Sequence, residues 1–333
     1  MEQKIKKVWD VIIVGAGPAG CSAAMVLARV RRSVLLIDNS KPRNARSQGM
    51  HNFLTRDGIL PTEYLSLAHK ELAGYGVQHI HANAVSARKL GAHGFEVCDS
   101  NDTSYLSKRL LLATGVTDNI PEIPGMEEFW GKGVYHCPFC DGYELCDLTI
   151  GLYAKRYNGF GMALALRQLS ASVVLFTDGK GYLSAAQHRQ LDARGIRIIR
   201  TRIKELSCAN DKLTCVVMTN GEAVPCNAVF VHHGNKTNNE LLIQLGARMT
   251  ARGAAITNRK QACNIPGLYV AGDATIDIHF VVVAAAEGAK AAVAIHDDLL
   301  HDENGLEKNP KPRLTIKAAD ESQRPPVSIL AVK

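Results

Sequence analysis

The first forty positions alternate short apolar blocks with small polar turns. The run VWDVIIV at 8–14 is rich in β-branched residues, the turn GAGPAG follows at 15–20, and apolar residues then recur at helical spacing up to about residue 30. A second apolar run at 34–37 ends in Asp38. This pattern predicts a strand, a glycine turn, a helix and a second strand, which together form a βαβ unit.

A second pattern of the same kind begins near the middle of the chain. It predicts a strand at 148–153, a turn at 154–161, a helix to about residue 170 and a strand at 173–176. Further helices and strands are predicted at about 62–74, 77–112, 228–231, 267–271 and 280–300. Because strands and helices alternate, we expect an α/β fold with two Rossmann-like nucleotide-binding domains.

Length and composition limit the class of protein. The chain has 333 residues, more than twice a domain of about 150, so two domains, or one domain interrupted by another, are expected. With 46% hydrophobic and 21% charged residues, a collagen-like, coiled-coil or wholly disordered chain is excluded. No apolar run approaches the ~20 residues of a membrane-spanning helix, and the basic start lacks a signal-peptide cleavage site. We expect a cytoplasmic protein that does not bind membranes.

The charge and the cysteines narrow the candidate partners. The net charge of +7 indicates a solvated surface or a basic face for an acidic partner, and it is too small for a nucleic-acid footprint. Nine cysteines, an odd number in an intracellular chain, argue against a disulfide framework. Only Cys137 and Cys140 form a CxxC, and no second pair is present to complete a zinc site. We therefore expect no metal.

The first glycine turn has the GxGxxG spacing of a dinucleotide-binding loop. Gly15 would allow the tight turn, Gly17 would let the backbone approach a pyrophosphate, and Gly20 would let the helix pack closely on the strand. The phosphates would lie on the amides at the helix N-terminus. Asp38, at the end of the second strand, would accept hydrogen bonds from ribose hydroxyls. The alternative is a glycine-rich turn in an unrelated α/β domain.

The second turn departs from this spacing. Ala154 and Arg156 stand where the first two glycines would be needed, and only the third position, Gly159, is kept. The bulky second residue would occupy the space that a pyrophosphate needs, and no basic cluster follows the next strand to bind a 2′-phosphate. We expect a domain that keeps the fold but has lost ordinary NADPH binding. In the alternative interpretation, Lys155 and Arg156 bind phosphate through their side-chain charges.

The segment HCPFCDG at 136–142 carries the candidate catalytic residues. Two cysteines separated by two residues can form a disulfide within one turn, and a CxxC thiol beside a cation or a helix N-terminus has a lowered pKa. Cys137 is the candidate for attack on an outside disulfide, and Cys140 would face the cofactor. Asp141 could exchange a proton with a leaving thiolate, and His136 could assist it or tune the redox potential. The alternatives are half of a zinc site or two core cysteines.

Several motifs, in this order, are similar to those of low-molecular-weight thioredoxin reductases. They are GAGPAG at 15–20, Asp38, ATG at 113–115, the CxxC followed by Asp141 and Gly142, AGDAT at 271–275 and AAEGAKAA at 285–292. The resemblance extends over about residues 8–300. It implies a flavoprotein, usually a homodimer, whose FAD-binding domain is interrupted by a pyridine-nucleotide domain that carries the CxxC. The FAD-binding domain would combine 1–117 with 246–300, the inserted domain would cover 118–245, and 301–333 would form a C-terminal tail.

The same resemblance assigns FAD contacts to individual residues. The pyrophosphate contacts would be Gly15, Gly17, Pro18, Ala19 and Gly20. Contacts to the adenosine, the ribityl chain and the flavin would come from Asp38, His51, Asn52, Val85, Ala113, Thr114, Gly115, Gly272, Asp273, Phe280 and Val281. Within this set, Asp273 would hold a ribityl hydroxyl, and Phe280 would begin the helix that points at the flavin. His279 would contact the flavin edge, or it is a buried structural histidine.

The departures from the family pattern concern the electron donor. The altered second turn argues against NADPH as the reductant. The segment CPFCDGYE, the loop RNARSQGMHNFLTRDG and the tail resemble divergent members, which include small-molecule dithiol oxidases, ferredoxin-dependent thioredoxin reductases and pyridine-nucleotide-independent disulfide oxidoreductases. We expect an FAD-dependent enzyme that transfers two electrons between its flavin, the Cys137–Cys140 pair and an outside thiol or disulfide. The substrate would be a thioredoxin-like protein or a small molecule.

Two alternative functions use the same residues. An oxygen-dependent small-molecule dithiol oxidase would run in the oxidising direction, and a non-catalytic flavin-binding redox sensor would use the CxxC as a switch. If the donor is a protein, an acidic ferredoxin is the candidate, because basic residues crowd the surface segments of the first domain. These residues are Arg29, Arg31, Arg32, Lys41, Arg43 and Arg46.

Overall fold

The structure, a computed structural model, describes residues 7–91, 94–155, 159–179 and 181–306. Its strands are β1 (Val8–Val14), β2 (Val34–Asp38), β3 (Gln78–His81), β4 (Ala84–Lys89), β5 (Phe95–Asp99), β6 (Ser104–Leu112), β7 (Val116–Asp118), β8 (Val134–Tyr135), β9 (Ile150–Tyr153), β10 (Val173–Phe176), β11 (Arg197–Ile199), β12 (Ile203–Ala209), β13 (Lys212–Met218), β14 (Ala223–Pro225), β15 (Ala228–Val231), β16 (Asn235–Thr237) and β17 (Leu268–Val270). Its α-helices are α1 (Pro18–Arg29), α2 (Pro61–Gly74), α3 (Pro138–Asp141), α4 (Phe160–Leu169), α5 (Ala185–Asp192), α6 (Glu240–Leu245) and α7 (Val281–Glu303). Single 3₁₀ turns lie at Tyr143–Leu145 and Gly272–Ala274.

The first sheet holds the N-terminal strands and the strand that precedes the last helix. Its order is β3-β2-β1-β6-β5-β4, and β17 pairs with the end of β6. β1 is parallel to both β2 and β6, whereas β5 and β4 form an antiparallel extension. Neighbouring β1 side chains such as Ile12 and Ile13 are fully buried in two different cores. Because a central strand is covered on both faces, its sequence is apolar at successive positions.

The second sheet is parallel throughout. Its order is β11-β10-β9-β15-β8. β9, β10 and β15 are buried along their whole length, and α4 packs against β9 and β10. The two sheets confirm the predicted α/β fold with two Rossmann-like units.

The sequence pattern did not predict the three-stranded antiparallel sheet β12-β13-β14. Its inward residues, among them Ile203, Leu206 and Val216, form one core with Phe176 of β10. Leu175, the preceding residue of β10, lies in the other core together with α4 residues. The antiparallel sheet therefore covers the face of the second sheet that α4 leaves open.

A short antiparallel ribbon connects the two sheets. β7 follows β6, β16 follows β15, and they pair with Asp118 opposite Asn235. Just after the ribbon, the backbone amide of Asn238 donates to the carbonyl oxygen of Gly115 at 3.0 Å, and its side-chain amide donates to that of Thr114 at 2.9 Å. The chain thus leaves the first sheet and returns to it at one place. The bounds 118–245 of an inserted domain stay a prediction.

The last helix, α7, packs along α1. A Cβ at Gly288 would lie 2.0 Å from the carbonyl oxygen of Ala19, so glycine is required for this close approach. Gly272, in the turn before α7, has φ +76°, and a Cβ there would lie 2.9 Å from the Cβ of Ala19. Gly272 and Gly288 therefore both allow a close approach to Ala19 at the start of α1.

The end of α7 differs from the expected tail. The helix continues to Glu303, because Arg32 pairs with Glu303 and Arg109 pairs with Asp302 in its last turn. Residues 307–333 lie outside the described part of the chain. Across the described ranges, none of the helices combines the length and the apolar character needed to cross a membrane.

Candidate active site

The first glycine turn joins β1 to α1 and forms an open cradle. Gly15 has φ +104°, and a Cβ there would lie 2.3 Å from the carbonyl oxygen of Ala113. A Cβ at Gly20 would lie 1.8 Å from the carbonyl oxygen of Gly15, so both positions require glycine. Gly17 differs, because a Cβ there would meet no protein atom within 4 Å. The space above Gly17 is open to a ligand.

The start of α1 and Asp38 fit the diphosphate and the ribose of a dinucleotide. α1 begins directly after Gly17, and no side chain caps its first amides. Such amides bind phosphate at a helix N-terminus. The carboxylate of Asp38 accepts hydrogen bonds from the amides of Ala16 (2.9 Å) and Ser40 (2.8 Å), which fix it beside the turn. Each carboxylate oxygen still has a lone pair for a ribose hydroxyl.

The residues expected along the adenosine and ribityl path lie on separate elements. Ala113 borders the first glycine turn. The hydroxyl of Thr114 donates to the carbonyl oxygen of Asn238 at 2.7 Å, so it supports the ribbon. Val85 lies in the edge strand β4, where its carbonyl oxygen accepts a hydrogen bond from Gln244. Ala113 therefore borders the first glycine turn, whereas Thr114 and Val85 form hydrogen bonds with other parts of the protein.

The CxxC lies against residues expected on the flavin side. Cys137 and Cys140 form a disulfide with 5.3 Å between their Cα atoms. Between them, the carbonyl oxygen of Phe139 accepts a 2.6 Å hydrogen bond from the side-chain amide of Asn52. The Phe139 ring packs edge-on against Phe280, with 6.2 Å between ring centroids. The structure therefore brings the disulfide, Asn52 and the start of α7 together.

His51 and Asp141 lie close to the disulfide. His51 Nδ1 lies 3.3 Å from a carboxylate oxygen of Asp57, and its Nε2 lies 3.5 Å from one of Glu144. Burial raises the pKa of Asp141 to about 6, the charge of His51 opposes this rise, and Glu144 adds to it. A carboxyl group that titrates near neutral pH can accept or release a proton during thiol chemistry.

His136 precedes the disulfide and stacks on Trp130, with 5.9 Å between ring centroids. The residue is exposed, yet the protein that surrounds its ring desolvates the charged form and lowers its pKa. The charge of Asp118 raises this pKa, and that of Arg43 lowers it. The neutral form of His136 is therefore favoured, and its pKa responds to the charges of Asp118, Arg43 and Asp273 beside the predicted flavin site.

Arg43 is the centre of a partly buried ion-pair cluster. Its Nη2 lies 2.6 Å from Oδ1 of Asp118, and its Nε lies 3.0 Å from Oδ2 of the same carboxylate. Its Nη1 lies 2.8 Å from Oδ2 of Asp273 and 3.2 Å from Nδ1 of His279. Burial alone lowers the pKa of Arg43, but the two carboxylates raise it above its usual value, so the guanidinium stays charged. The expectation that Arg43 is a surface cation for an acidic partner is wrong, because both carboxylates hold it inside the fold.

Glu287 is a second site residue that the sequence analysis missed. It is buried in α7 and accepts hydrogen bonds from the amide of Gly272 (2.7 Å) and the hydroxyl of Thr275 (3.0 Å). Burial raises its pKa. These bonds hold the turn that carries Asp273. A single carboxylate in the motif AAEGAKAA was the available signal, because a buried carboxylate needs polar partners.

The second glycine turn is held by its own side chains. Lys155 Nζ lies 2.7 Å from Oδ2 of Asp178, whose side chain is only 5% exposed. A Cβ at Gly159 would lie 2.8 Å from the Cβ of Ala154, so Gly159 allows close packing at the start of α4. Arg156, the residue expected to obstruct a pyrophosphate, lies outside the described residues.

A cavity of about 540 Å³ lies beside this second turn. Tyr153, Lys155, Asp178 and His233 line it from the ends of the strands, and the segment 119–123 lines it from the ribbon. Carboxyl ends of parallel strands are where Rossmann folds bind ligands. The second fold therefore has a cavity at the usual ligand position, but Lys155 and Asp178, which line it from the sheet, are bonded to each other.

A comparison with protein families identifies the chain. A model described as pyridine nucleotide-disulphide oxidoreductase matches residues 9–288. Thioredoxin reductase tcpT of Claviceps purpurea is 30% identical over 307 residues, 89% of this chain and 96% of the relative. Thioredoxin reductase aclD of Aspergillus oryzae is 29% identical over 309 residues, 89% of this chain and 98% of the relative.

Solved structures agree with these relatives. The structure of HlmI is 35% identical and superposes with a TM-score of 0.86, covering 90% of this chain and 94% of HlmI. An oxidoreductase from Agrobacterium tumefaciens is 32% identical with a TM-score of 0.82, covering 88% and 99%. Thioredoxin reductase from Lactococcus lactis, in a form described as the FR conformation, is 25% identical and covers 88% and 99%, but its TM-score is 0.58.

These matches confirm the resemblance derived from the motifs, and the residues of the first fold fit a dinucleotide cofactor. The chain belongs to the pyridine nucleotide-disulphide oxidoreductase family, as a thioredoxin-reductase-like flavoprotein enzyme that acts on sulfur groups.

Proposed function

We propose that this protein is an FAD-dependent enzyme that transfers two electrons between its flavin, the Cys137–Cys140 pair and an outside thiol or disulfide, without ordinary use of NADPH. One observation carries the proposal. The disulfide segment contacts residues expected around the flavin, through the interactions of Phe139 with Asn52 and Phe280. Electron transfer between a cysteine and a flavin requires such an approach, because reacting groups must be held in contact.

FAD is the proposed cofactor because the first fold suits both of its halves. The open space above Gly17 and the uncapped start of α1 suit the diphosphate, and Asp38 suits the adenosine ribose. The turn at Gly272 and Asp273, held by Glu287, suits the ribityl chain. When bound, FAD would accept or supply the electron pair.

The cysteines and Asp141 perform the thiol chemistry. In the oxidising direction, a substrate thiolate attacks Sγ of Cys137, and the bond to Cys140 breaks to leave a mixed disulfide and the Cys140 thiolate. A second substrate thiolate attacks the first substrate sulfur, which releases the Cys137 thiolate and the oxidised substrate. The reduced cysteine pair then carries the two electrons. When it gives them up, the disulfide bond between Cys137 and Cys140 forms again. Asp141, with a pKa of about 6, can accept a proton from a substrate thiol. The reducing direction runs the same steps in reverse.

Independence from NADPH rests on the second turn. Lys155 and Asp178 form an ion pair, so each neutralises a charge that would otherwise be available to a nucleotide. Ala154 occupies the first glycine position of the turn, and its Cβ already limits the space at Gly159. In the part of the second turn that the structure describes, these contacts leave a hydride donor less room than the open space above Gly17 in the first fold.

The surroundings of the disulfide suit an apolar thiol or disulfide substrate. Phe139 lies between the two cysteines and Tyr143 follows Cys140 by three residues, and their exposures are 71% and 83%. Leu54, two residues after Asn52, is 90% exposed. A thioredoxin-like protein or a small dithiol could cover these side chains, and a homodimer is part of the same proposal. Burial of such side chains favours binding by roughly 25 cal/mol per Å² of apolar surface.

The second candidate function is the oxygen-dependent oxidation of a small dithiol. One observation favours it over a ferredoxin-dependent reductase. Of the basic residues proposed to steer an acidic donor, Arg43 is partly buried between two carboxylates and Arg32 pairs with Glu303. An oxidase needs no docking site for a donor protein.

An anaerobic titration of the flavin-loaded protein with dithiothreitol tests the proposal. Bleaching of the flavin is expected, because the dithiol reduces the cysteine pair and the pair reduces the flavin. Re-oxidation in air, with consumption of oxygen, would support the oxidase. A flavin that stays oxidised in dithiothreitol would exclude both enzymatic functions and favour the non-catalytic redox sensor.

The two cysteines provide a sharper form of this test. Cys137→Ser leaves the Cys140 thiol beside the flavin and is expected to show a long-wavelength charge-transfer absorbance, which Cys140→Ser lacks. Both variants are expected to lose turnover. The opposite pattern of absorbance would exchange the roles of the two cysteines, and turnover in either variant would exclude the disulfide from the reaction.

A further inference from the structure

Two arginines of one loop reach across to the part of the chain that carries the disulfide. Both lie between β2 and α2. Arg43 bonds to Asp118 at the end of the ribbon strand β7, and Arg46 bonds to Glu127. The two ion pairs differ in burial. Side-chain exposures are 17% and 8% for Arg43 and Asp118, against 53% and 75% for Arg46 and Glu127.

Arg43 also bonds to the turn that carries the predicted ribityl contact. Its Nη1 lies 2.8 Å from Oδ2 of Asp273, while its Nε and Nη2 hold the carboxylate of Asp118. A guanidinium is planar and can satisfy two carboxylates at once from different edges. The side chain of Arg43 therefore joins the ribbon to the turn Gly272–Ala274 that follows β17, called here the flavin turn.

Similar proteins superpose on this structure to different extents. HlmI and the Lactococcus lactis thioredoxin reductase align over 90% and 88% of this chain, yet their TM-scores are 0.86 and 0.58. The aligned share is nearly the same, so a shared fold does not by itself fix how closely its parts superpose. The approach of the disulfide to the flavin site is thus not dictated by the fold alone, and contacts across the ribbon must favour it.

We propose that Arg43 is a positioning residue that holds the disulfide segment at the flavin by joining Asp118 of the ribbon to Asp273 of the flavin turn. This inference rests on the proposed electron transfer between the cysteines and the flavin. The exposed pair of Arg46 and Glu127 spans the same two parts of the chain but contributes little, because solvent screens it.

Asp118→Asn tests the role of Arg43 without removing Arg43 itself. The substitution keeps the size of the side chain, and Asp273 still pairs with the guanidinium, so no buried charge is left alone. Glu127→Gln is the matched control, since it makes the same chemical change in the exposed pair. A milder second variant, Arg43→Lys, keeps a positive charge but cannot hold two carboxylates in the same way.

Two measurements read the effect. In the flavin-loaded protein, Asp118→Asn is expected to lower the rate constant of flavin bleaching by dithiothreitol at least about tenfold, whereas Glu127→Gln stays within about twofold of the wild type. In the oxidised protein without reductant, hydrogen exchange of the backbone amides at 116–118 and 235–237 is expected to rise at least about tenfold in Asp118→Asn only, because the ribbon loses its tie to the first sheet. Arg43→Lys should fall between the two variants in both measurements.

The two measurements separate this inference from the proposed function. A wild type whose flavin dithiothreitol does not bleach would overturn the proposed function, and the exchange measurement would still decide whether Arg43 fixes the ribbon. Equal hydrogen exchange in Asp118→Asn and Glu127→Gln would overturn the positioning role, and so would equal bleaching rates if the flavin of the wild type is bleached. Faster exchange together with slower bleaching in Asp118→Asn would support it.

Discussion

The two glycine turns have the same place in the same fold but different surroundings. In the first, a Cβ at Gly17 would meet nothing within 4 Å, and no side chain caps the helix that follows. In the second, the Cβ of Ala154 lies 2.8 Å from the position of a Cβ at Gly159, and Lys155 bonds to Asp178. The first turn therefore has room above Gly17 and free helix amides for a ligand. In the described part of the second turn, the first amides of α4 also lack a side-chain cap, but Ala154 limits the space at Gly159 and Lys155 is bonded to Asp178.

The comparison separates the residues that keep the fold from those that bind. Gly20 and Gly159 both let a helix approach the sheet, and both are retained. Asp38 ends the second strand of its unit and Asp178 lies two residues after the second strand of its own, but Asp38 is partly exposed beside its turn and Asp178 is buried in an ion pair. Packing can thus preserve a Rossmann unit after its binding surface has changed.

The largest expected effect comes from filling the space above Gly17 in the first glycine turn with a side chain. Gly17→Val should yield a folded protein without flavin, because the added side chain meets no protein atom but occupies the space for the diphosphate. The ratio of flavin absorbance to protein absorbance measures this. Gly161→Val in α4 is the matched control, since Gly161 also has no neighbour within 4 Å, and it should keep a full complement of flavin. Full flavin in Gly17→Val would remove the first turn from the cofactor site.

The next test asks whether the second turn accepts a nucleotide. NADPH and NADH at millimolar concentration are expected to bleach the flavin at least about 100-fold more slowly than dithiothreitol, because a missing phosphate cradle removes several kcal/mol of binding. Anaerobic stopped-flow absorbance supplies the rate constants. Bleaching by NADPH within seconds would make the two turns equivalent and return the protein to the ordinary thioredoxin reductases.

A matched pair of aspartate variants sharpens the comparison further. Asp38→Asn should weaken flavin binding about tenfold, or about 1.4 kcal/mol, because it loses a carboxylate acceptor for the ribose. Asp178→Asn should leave flavin binding unchanged and lower the free energy of unfolding by about 1 to 2 kcal/mol, because its pairing with Lys155 is lost. Flavin titration and chemical denaturation separate the two effects. A loss of flavin affinity in Asp178→Asn would show that the second turn also serves the cofactor.

The smallest expected effect concerns the proton-transfer residue that accompanies the disulfide. The pKa of Asp141 is about 6 in the folded state, raised mainly by burial from the usual aspartate value of 3.8. The folded state therefore holds this proton more tightly, and the wild type loses stability as the pH rises from 3.8 to 6. Asp141→Asn should be more stable than the wild type above pH 6, by about 1 kcal/mol after allowance for partial solvation, and equal to it below pH 3.8. Denaturation at pH 4 and pH 8 measures the difference.

Local patterns predicted the elements that position the site. The spacing of Gly15, Gly17 and Gly20, the apolar strands and the alanine-rich helix are each visible within a short stretch of sequence. The CxxC likewise identified Cys137 and Cys140, and the structure bonds them. These features are readable because a strand, a turn or a CxxC is a short-range property of the chain.

Long-range polar contacts could not be predicted in the same way. Arg43 and Asp273 are 230 positions apart, and the sequence around Arg43 is indistinguishable from a basic surface loop. Glu287 gave a faint signal, as a carboxylate within an apolar helix. The strands β12 to β14 alternate in burial, but their pairing with the second parallel sheet depends on contacts made only after folding.

The ribbon has a consequence for engineering. Asp118 and Asn235 are paired across β7 and β16, so the segment between them begins and ends one strand spacing apart. Segments whose ends meet in this way can be exchanged between proteins with little disturbance of the host. Residues 119–234 could therefore be replaced as a cassette by the corresponding segment of a relative that uses NADPH, which would transplant a new electron source onto an unchanged flavin module.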